Sequence, residues 1–153
     1  MSKRPSSRRT PDLLLAALLV LGSTTAEAGV GLFKLVQGPV SVLRGGQTLP
    51  ASVGMAVEAA DVIVTGDGAV AGLGFSDNSR LSLGPRSRLV LDRYQFDTTT
   101  HEGRFDASLS QGKLAVVSGK IAKHKTDAMT VGTPSSILGV RGTEFVVEVG
   151  AAP

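Results

Sequence analysis

The chain has 153 residues, which is enough for one domain with its own hydrophobic core. It contains no cysteine, which excludes disulfides, thiolate metal sites and thiol nucleophiles, and its few aromatic residues leave little surface for stacking on sugars or bases. The formal net charge of +3 comes mostly from the first residues, so it gives no argument for a nucleic-acid partner.

The first 28 residues have the pattern of a signal peptide. A basic stretch, MSKRPSSRR, precedes an apolar run at 13–22, and the small residues Ala26 and Ala28 follow. The run is shorter than the roughly 20 residues that span a membrane. We therefore expect cleavage after Ala28, export to the periplasm and no membrane span afterwards; an uncleaved anchor is the alternative. Of the 16 basic and 13 acidic residues, 12 and 11 remain after cleavage, a net charge of +1.

The rest of the chain, 29–153, reads as one all-β domain. Short apolar runs alternate with turn residues at intervals of about 8–12 residues, as in a β-sandwich or a β-roll of the jelly-roll kind. A short β-solenoid is the alternative. The predicted strands are 32–36, 40–44, 62–65, 69–75, 80–83, 88–92, 104–109, 113–118, 129–132 and 143–149. Two polar stretches, 97–104 and 119–127, are predicted as loops.

Two stretches show the period of two that a half-buried strand requires. In AVAGLGF, one face carries Ala69, Ala71, Leu73 and Phe75. The loop SDNS then reverses the chain into RLSL, whose leucines we expect to meet that face in a hairpin. In TEFVVEV, Phe145, Val147 and Val149 are predicted to face the core and the two glutamates to face water.

No pattern of residues indicates catalysis or a cofactor. The glycines of GDGAVAGLG alternate within a strand instead of opening a helix, so they do not form a phosphate-binding loop. His101 lies in a polar loop and His124 lies between two lysines, a cationic setting that opposes a metal ion. There is no G-x-S-x-G motif. We predict a protein that is not an enzyme, without catalytic, metal or cofactor residues; a hydrolase of cell-wall material is the enzymatic alternative.

Several segments together resemble the FecR-type periplasmic domain. They are GPVSVLRGG, ADVIVTGDGAVAGLGFSDNSRLSLGPRSRL, LSQGKLAVV and VGTPSSILGVRGTEFVVEV, and they cover about 33–149. The resemblance implies a β-rich periplasmic module without known catalytic residues. In the regulator of ferric dicitrate transport this module follows a cytoplasmic anti-sigma segment and a membrane helix. We expect the present chain to lack that segment.

A set of motif residues is predicted to hold the fold together. In particular, Arg141 is expected to be partly buried and to pair with Asp61, which also directly precedes an apolar strand. The alternative is that Arg141 points outward and binds an anionic ligand. Gly142 is expected to supply a backbone conformation that a side chain forbids. The full set is Asp61, Thr65, Gly66, Gly139, Arg141, Gly142, Thr143 and Phe145.

Two functions from different classes follow from these observations. The first is a non-catalytic periplasmic module for binding or signalling, with an envelope protein as its partner. A positive patch for an acidic partner or an anionic lipid would comprise Lys113, Lys120, Lys123 and Lys125. The second is a structural part of the envelope, in which the strand 143–149 lies at an open edge and pairs with a partner chain or with a second copy.

Overall fold

A computed structural model of the protein describes residues 29–151, so the predicted signal peptide lies outside the described residues. Within them no helix is both long enough and apolar enough to cross a membrane. The chain is nearly all strand: β1 (Gly31–Gln37), β2 (Val40–Arg44), β3 (Gln47–Pro50), β4 (Ala56–Val57), β5 (Val62–Thr65), β6 (Val70–Phe75), β7 (Arg80–Leu83), β8 (Arg88–Phe96), β9 (Gly103–Val117), α1 (Lys120–His124), β10 (Met129–Gly132), β11 (Ile137–Val140) and β12 (Glu144–Val149).

The strands form a curled sheet, a half-barrel, and the all-β prediction with many antiparallel strands is confirmed. The order along the sheet is β3-β2-β5-β8-β9-β7-β6-β1-β4. Two further branches leave β9, one through β10 to β11 and the other to β12. Every strand pair is antiparallel except β9 with β10. Strand β9 therefore joins all the parts of the sheet.

The predicted alternation is present in both stretches. Along β6 the buried residues are Ala71, Leu73 and Phe75, and the residues between them are partly exposed. Leu81 of β7 lies opposite Leu73, whereas Leu83 lies opposite Ala71 and not opposite Phe75. In β12 only Val147 is buried, with Phe145 and Val149 packed against the core and both glutamates exposed. One face of each strand thus builds the core and leaves the other face to solvent.

The predicted strands 104–109 and 113–118 belong to one strand, β9, which covers 103–117. Gly112, which lies between the two predicted strands, has a φ of 93° and bends the chain without ending the pairing. Before the bend, β9 pairs with β8 and β10; after it, β9 pairs with β7 and β12. A glycine adopts this conformation without strain, so the strand passes from one half of the sheet to the other.

Three short strands and one short helix were not predicted from the sequence. Strands β3, β4 and β11 have two to four residues and no strong apolar alternation. The predicted loop 119–127 contains α1, whose Ile121 and Ala122 are buried. A five-residue helix is too short for a detectable helical period.

The hairpin loop between β6 and β7 anchors α1 through a buried carboxylate. Asp77 is fully buried and accepts hydrogen bonds from the Ser79 hydroxyl (2.6 Å), the Ser79 N–H (3.1 Å) and the Tyr94 hydroxyl (3.1 Å). Its carbonyl oxygen accepts the Lys120 N–H at 2.8 Å. Burial, followed by the charge of Asp77, raises the pKa of Tyr94 well above its usual value, so this hydroxyl stays protonated and donates.

Replacing this carboxylate is expected to destabilise the fold strongly. Asp77→Ala leaves the buried donors of Ser79 and Tyr94 without their acceptor, and each unpaired buried group costs about 1–3 kcal/mol. We expect a loss of at least about 3 kcal/mol in the free energy of unfolding, measured by urea denaturation. Asp67→Ala is the matched control, because the Asp67 side chain is 90% exposed. Equal midpoints for the two variants would contradict this role of Asp77.

Candidate functional site

A β-bulge in β1 turns two consecutive side chains toward solvent. Phe33 lies opposite Leu73 and is fully buried, while Leu35 lies opposite Gly72, and the register shifts between them. The extra residue is Lys34, which is exposed together with Leu35. Because a bulge redirects a side chain that would otherwise alternate, both residues rise from the outer face of the sheet.

These side chains form one wall of a groove on the outer face of β1, β6 and β7. The groove has a volume of about 1020 Å³, close to the upper end of ordinary ligand sites. Gly72, Gly74 and Ser82 lie along its floor. A Cβ at Gly72 would lie 3.1 Å from the Leu35 Cβ, and one at Gly74 would lie 3.2 Å from the Lys34 stem. Because Gly72 and Gly74 have no side chains, the groove stays open beside the side chains of Leu35 and Lys34.

The groove combines an apolar lining with positive charge. Leu32 and Leu35 are large apolar residues, 40% and 42% exposed. Among the described residues the charged side chains of the lining are Lys34 and Arg80, which lie on either side of Gly74. An acidic group with an apolar neighbour is the chemistry that this groove fits.

The same outer face continues across β9 onto β12. Ser82 lies opposite Ala115, and Ala115 lies opposite Val146, which is 62% exposed. Two residues further along β9, on the same face, Val117 lies between Arg80 of β7 and Glu144 of β12. On the β6 side this face therefore has glycines with two cations nearby, Lys34 and Arg80. On β12 it ends with the exposed Val146 and with Glu144.

A second feature is a group of exposed cations around α1, which we call the basic corner. Its members are Lys120, Lys123, Lys125 and Arg141. The turn after Arg141 lies against the helix, because a Cβ at Gly142 would come within 3.7 Å of the Lys123 Cγ. The Ser118 N–H also donates to the Thr143 carbonyl at 3.2 Å.

A comparison with protein families identifies the chain. The family described as FecR protein matches residues 61–153, well over half of the sequence. The chain belongs to the FecR family. Comparison with curated proteins and with solved structures gave no match.

The FecR match begins at Asp61, just before β5, whereas the predicted resemblance began near residue 33. The floor of the groove on β6 and β7 lies inside the matched region. The wall on β1, with Leu32, Lys34 and Leu35, lies before it. The groove of this FecR protein thus combines family residues with residues outside the family match.

Asp61 has a different partner from the predicted one. Its carboxylate accepts two hydrogen bonds from Arg44, at 2.8 and 2.6 Å, and one from the Glu58 N–H at 2.8 Å. The hydrogen bond with Asp61 raises the pKa of Arg44, although burial opposes it. Arg141 is exposed, so the predicted buried pair with Asp61 is wrong. β2 is the strand paired with β5, and it brings Arg44 beside Asp61.

Thr65 and Gly66 belong to a hydrogen-bonded junction between turns. The Thr65 hydroxyl donates to the Gly84 carbonyl at 2.6 Å and accepts the Ser87 N–H at 2.9 Å. The Gly66 N–H donates to the Pro39 carbonyl at 2.8 Å. These contacts hold the ends of β5 and β7 together, and Ser87, which the sequence did not single out, is part of them.

The Arg-Gly-Thr turn joins β11 to β12. Gly142 has a φ of 58°, a conformation that glycine adopts without strain. A Cβ at Gly139 would come within 2.6 Å of the Asp127 carboxylate, so no larger residue fits there without a shift. Thr143 is exposed and contributes its carbonyl, and Phe145 packs against the core.

The predicted lysine patch is divided in the structure. Lys113 lies at the far end of the β9–β12 pair, opposite Glu148, and its ammonium is 3.3 Å from that carboxylate. Lys120, Lys123 and Lys125 lie beyond the other end of the pair, in the basic corner. Lys113 is therefore not part of the same surface. The expectations of no catalysis, metal or cofactor stay predictions.

The two arginines are expected to differ in their effect on stability. Arg44→Ala leaves the buried Asp61 carboxylate, whose side chain is 1% exposed, without its cation, and breaking such a pair costs about 3 kcal/mol or more. Arg141→Ala removes an exposed side chain and should change the stability by less than about 0.5 kcal/mol. Thermal melts of both variants measure the difference. A larger loss for Arg141→Ala would restore the pairing that the sequence predicted.

Proposed function

We propose that the protein is an exported, non-catalytic module of the FecR signalling type that acts in the periplasm by binding an envelope protein. The observation that carries the proposal is the FecR match over residues 61–153. The pattern of a basic stretch, an apolar run and small residues before position 29 supports export.

The roles of the polar motif residues agree with binding better than with catalysis. Asp61, Thr65 and Asp77 are buried, and each has its hydrogen-bonding partners within the protein. A catalytic group must reach a substrate, whereas these groups hold strands and turns together. We therefore assign the function to exposed surfaces of the protein and not to these buried polar residues.

The basic corner is the surface that we assign to the envelope partner. Its four cations belong to α1, the residue after α1 and the turn that contacts the helix, although the chain after position 28 carries a net charge of only +1. A local excess of one charge steers an acidic partner and suppresses basic ones. We therefore expect an acidic region on the partner protein and a rate of association that falls as salt is added.

A second candidate function is assembly through the edge of the sheet. Among the described residues β12 pairs only with β9, so its other side is an edge. Val146 is exposed on the outer face of the same strand. A partner strand that paired with this edge would make the protein a structural part of the envelope.

Site-specific photo-cross-linking distinguishes the two functions. The full chain is expressed in its own cells with a photoreactive residue at position 123 in the basic corner, at 146 on β12, or at 88 as a control on β8. We expect one envelope protein to be cross-linked from position 123 and not from position 88. With the photoreactive residue at position 123, Lys120→Glu with Lys125→Glu should abolish this capture without changing the melting temperature, whereas Arg88→Glu should leave the capture intact.

Other outcomes contradict the proposal in different ways. An envelope protein cross-linked from position 146 alone would favour assembly through the edge strand. Absence of any envelope protein at all three positions, with the chain exported, would contradict the binding function itself. A chain that protease cannot reach in cells with a permeabilised outer membrane would contradict the periplasmic location.

A further inference from the structure

The outer face of β6, β7, β9 and β12 has two unlike halves. On the β6 side, Gly72 and Gly74 leave a low floor beside Leu35. On the β12 side, Glu144 and Val146 are exposed above the sheet. A symmetric pair of identical chains requires a surface that is complementary to itself, and such a surface needs two halves of this kind.

The two halves are also in register. Gly74, Arg80, Val117 and Glu144 follow one another across the sheet as directly opposed residues. The neighbouring row consists of Gly72, Ser82, Ala115 and Val146. In each row the glycine is at one end and the exposed residue of β12 is at the other.

From this arrangement we propose that two copies of the chain form a symmetric dimer, outer face against outer face. The two-fold axis lies between the two sheets, parallel to the strands and above the boundary between β7 and β9. Rotation about it places β6 of one copy over β12 of the other, and each row of one copy over the same row of the other. Val146 of each copy then lies over Gly72 of the other, beside Leu35. Glu144 lies over Gly74, between Lys34 and Arg80.

The contacts made in this way are complementary in shape and in charge. Val146 fills the space that the absent Gly72 side chain leaves, and Ser82 meets Ala115, so only small side chains separate the sheets at the centre of this row. In the neighbouring row, Arg80 meets Val117. The acidic Glu144 meets the cations of the groove. Each contact occurs twice because of the symmetry, so its contribution to the free energy of dimerisation is doubled.

Pairing of two copies along the β12 edge is unfavourable in the register that is centred on Val146. In the antiparallel register centred on Val146, Glu144 of one copy lies directly opposite Glu148 of the other. Like charges directly opposed across a strand pair are destabilising. Packing through the outer face separates Glu144 from the second Glu148 and gives it two cations instead.

Exchanging the charges of Glu144 and Lys34 in the same chain tests whether these residues meet in the dimer. Protein purified from cells expressing the full chain is measured by sedimentation velocity over a range of concentrations. We expect wild type to dimerise and Glu144→Lys to raise the dissociation constant about tenfold, because the new lysine meets Lys34 and Arg80 of the other copy. Adding Lys34→Glu to the same chain should recover most of the loss, because it supplies a carboxylate for that lysine.

The control is Lys125→Glu, an exposed charge change in the basic corner, which should leave the dissociation constant unchanged within about twofold. Melting temperatures confirm that the variants are folded. A wild type that stays monomeric, a dimer that Glu144→Lys does not weaken, or a double variant without recovery would each overturn the proposal. The binding of an envelope protein through the basic corner is a separate matter and does not depend on this result.

Discussion

Strand β9 is the constraint on which the rest of the structure depends. Its first part pairs with β8 and β10, and its last part pairs with β7 and β12, so both halves of the curled sheet share one backbone. The bend at Gly112 lies against Ser87, whose hydroxyl accepts the Lys113 N–H at 2.9 Å. Ser87 in turn joins Thr65 through its own N–H. The bend is therefore tied to the turns that hold β5 and β7.

The position of both candidate surfaces follows from the course of β9. After the bend the strand passes between β7 and β12, so it supplies the centre of the outer face that carries the groove. Two residues beyond its end, Gly119 occupies the N-cap position of α1, and the basic corner is built on that helix. Asp77 fixes this junction from the neighbouring hairpin. The polar residues of the FecR motifs thus hold the junctions of the sheet, and the exposed residues remain available for partners.

The sequence predicted most of the strands because alternation reports directly on burial. In β6 the inward positions of Ala71, Leu73 and Phe75 could be read from the pattern alone. The partner of Asp61 could not, because a sequence pattern does not say which strands are neighbours. Arg44 and Arg141 each stand at one end of an apolar run, and only the pairing of β2 with β5 decides between them. The groove was missed for the same reason: it needs the bulge at Lys34 placed beside Gly74 of another strand.

Native-state hydrogen exchange along β9 tests most directly whether this strand unites the fold. If it does, the slow amides on both sides of Gly112, those of Ala107 and Leu109 and those of Leu114 and Val116, should exchange with one common free energy of opening, equal to that of global unfolding. The same free energy should apply to the slow amides of β6 and β8. Exchange of the 113–117 part at a clearly lower free energy than the 103–111 part would show that the two halves open independently. That result would contradict the central role of β9.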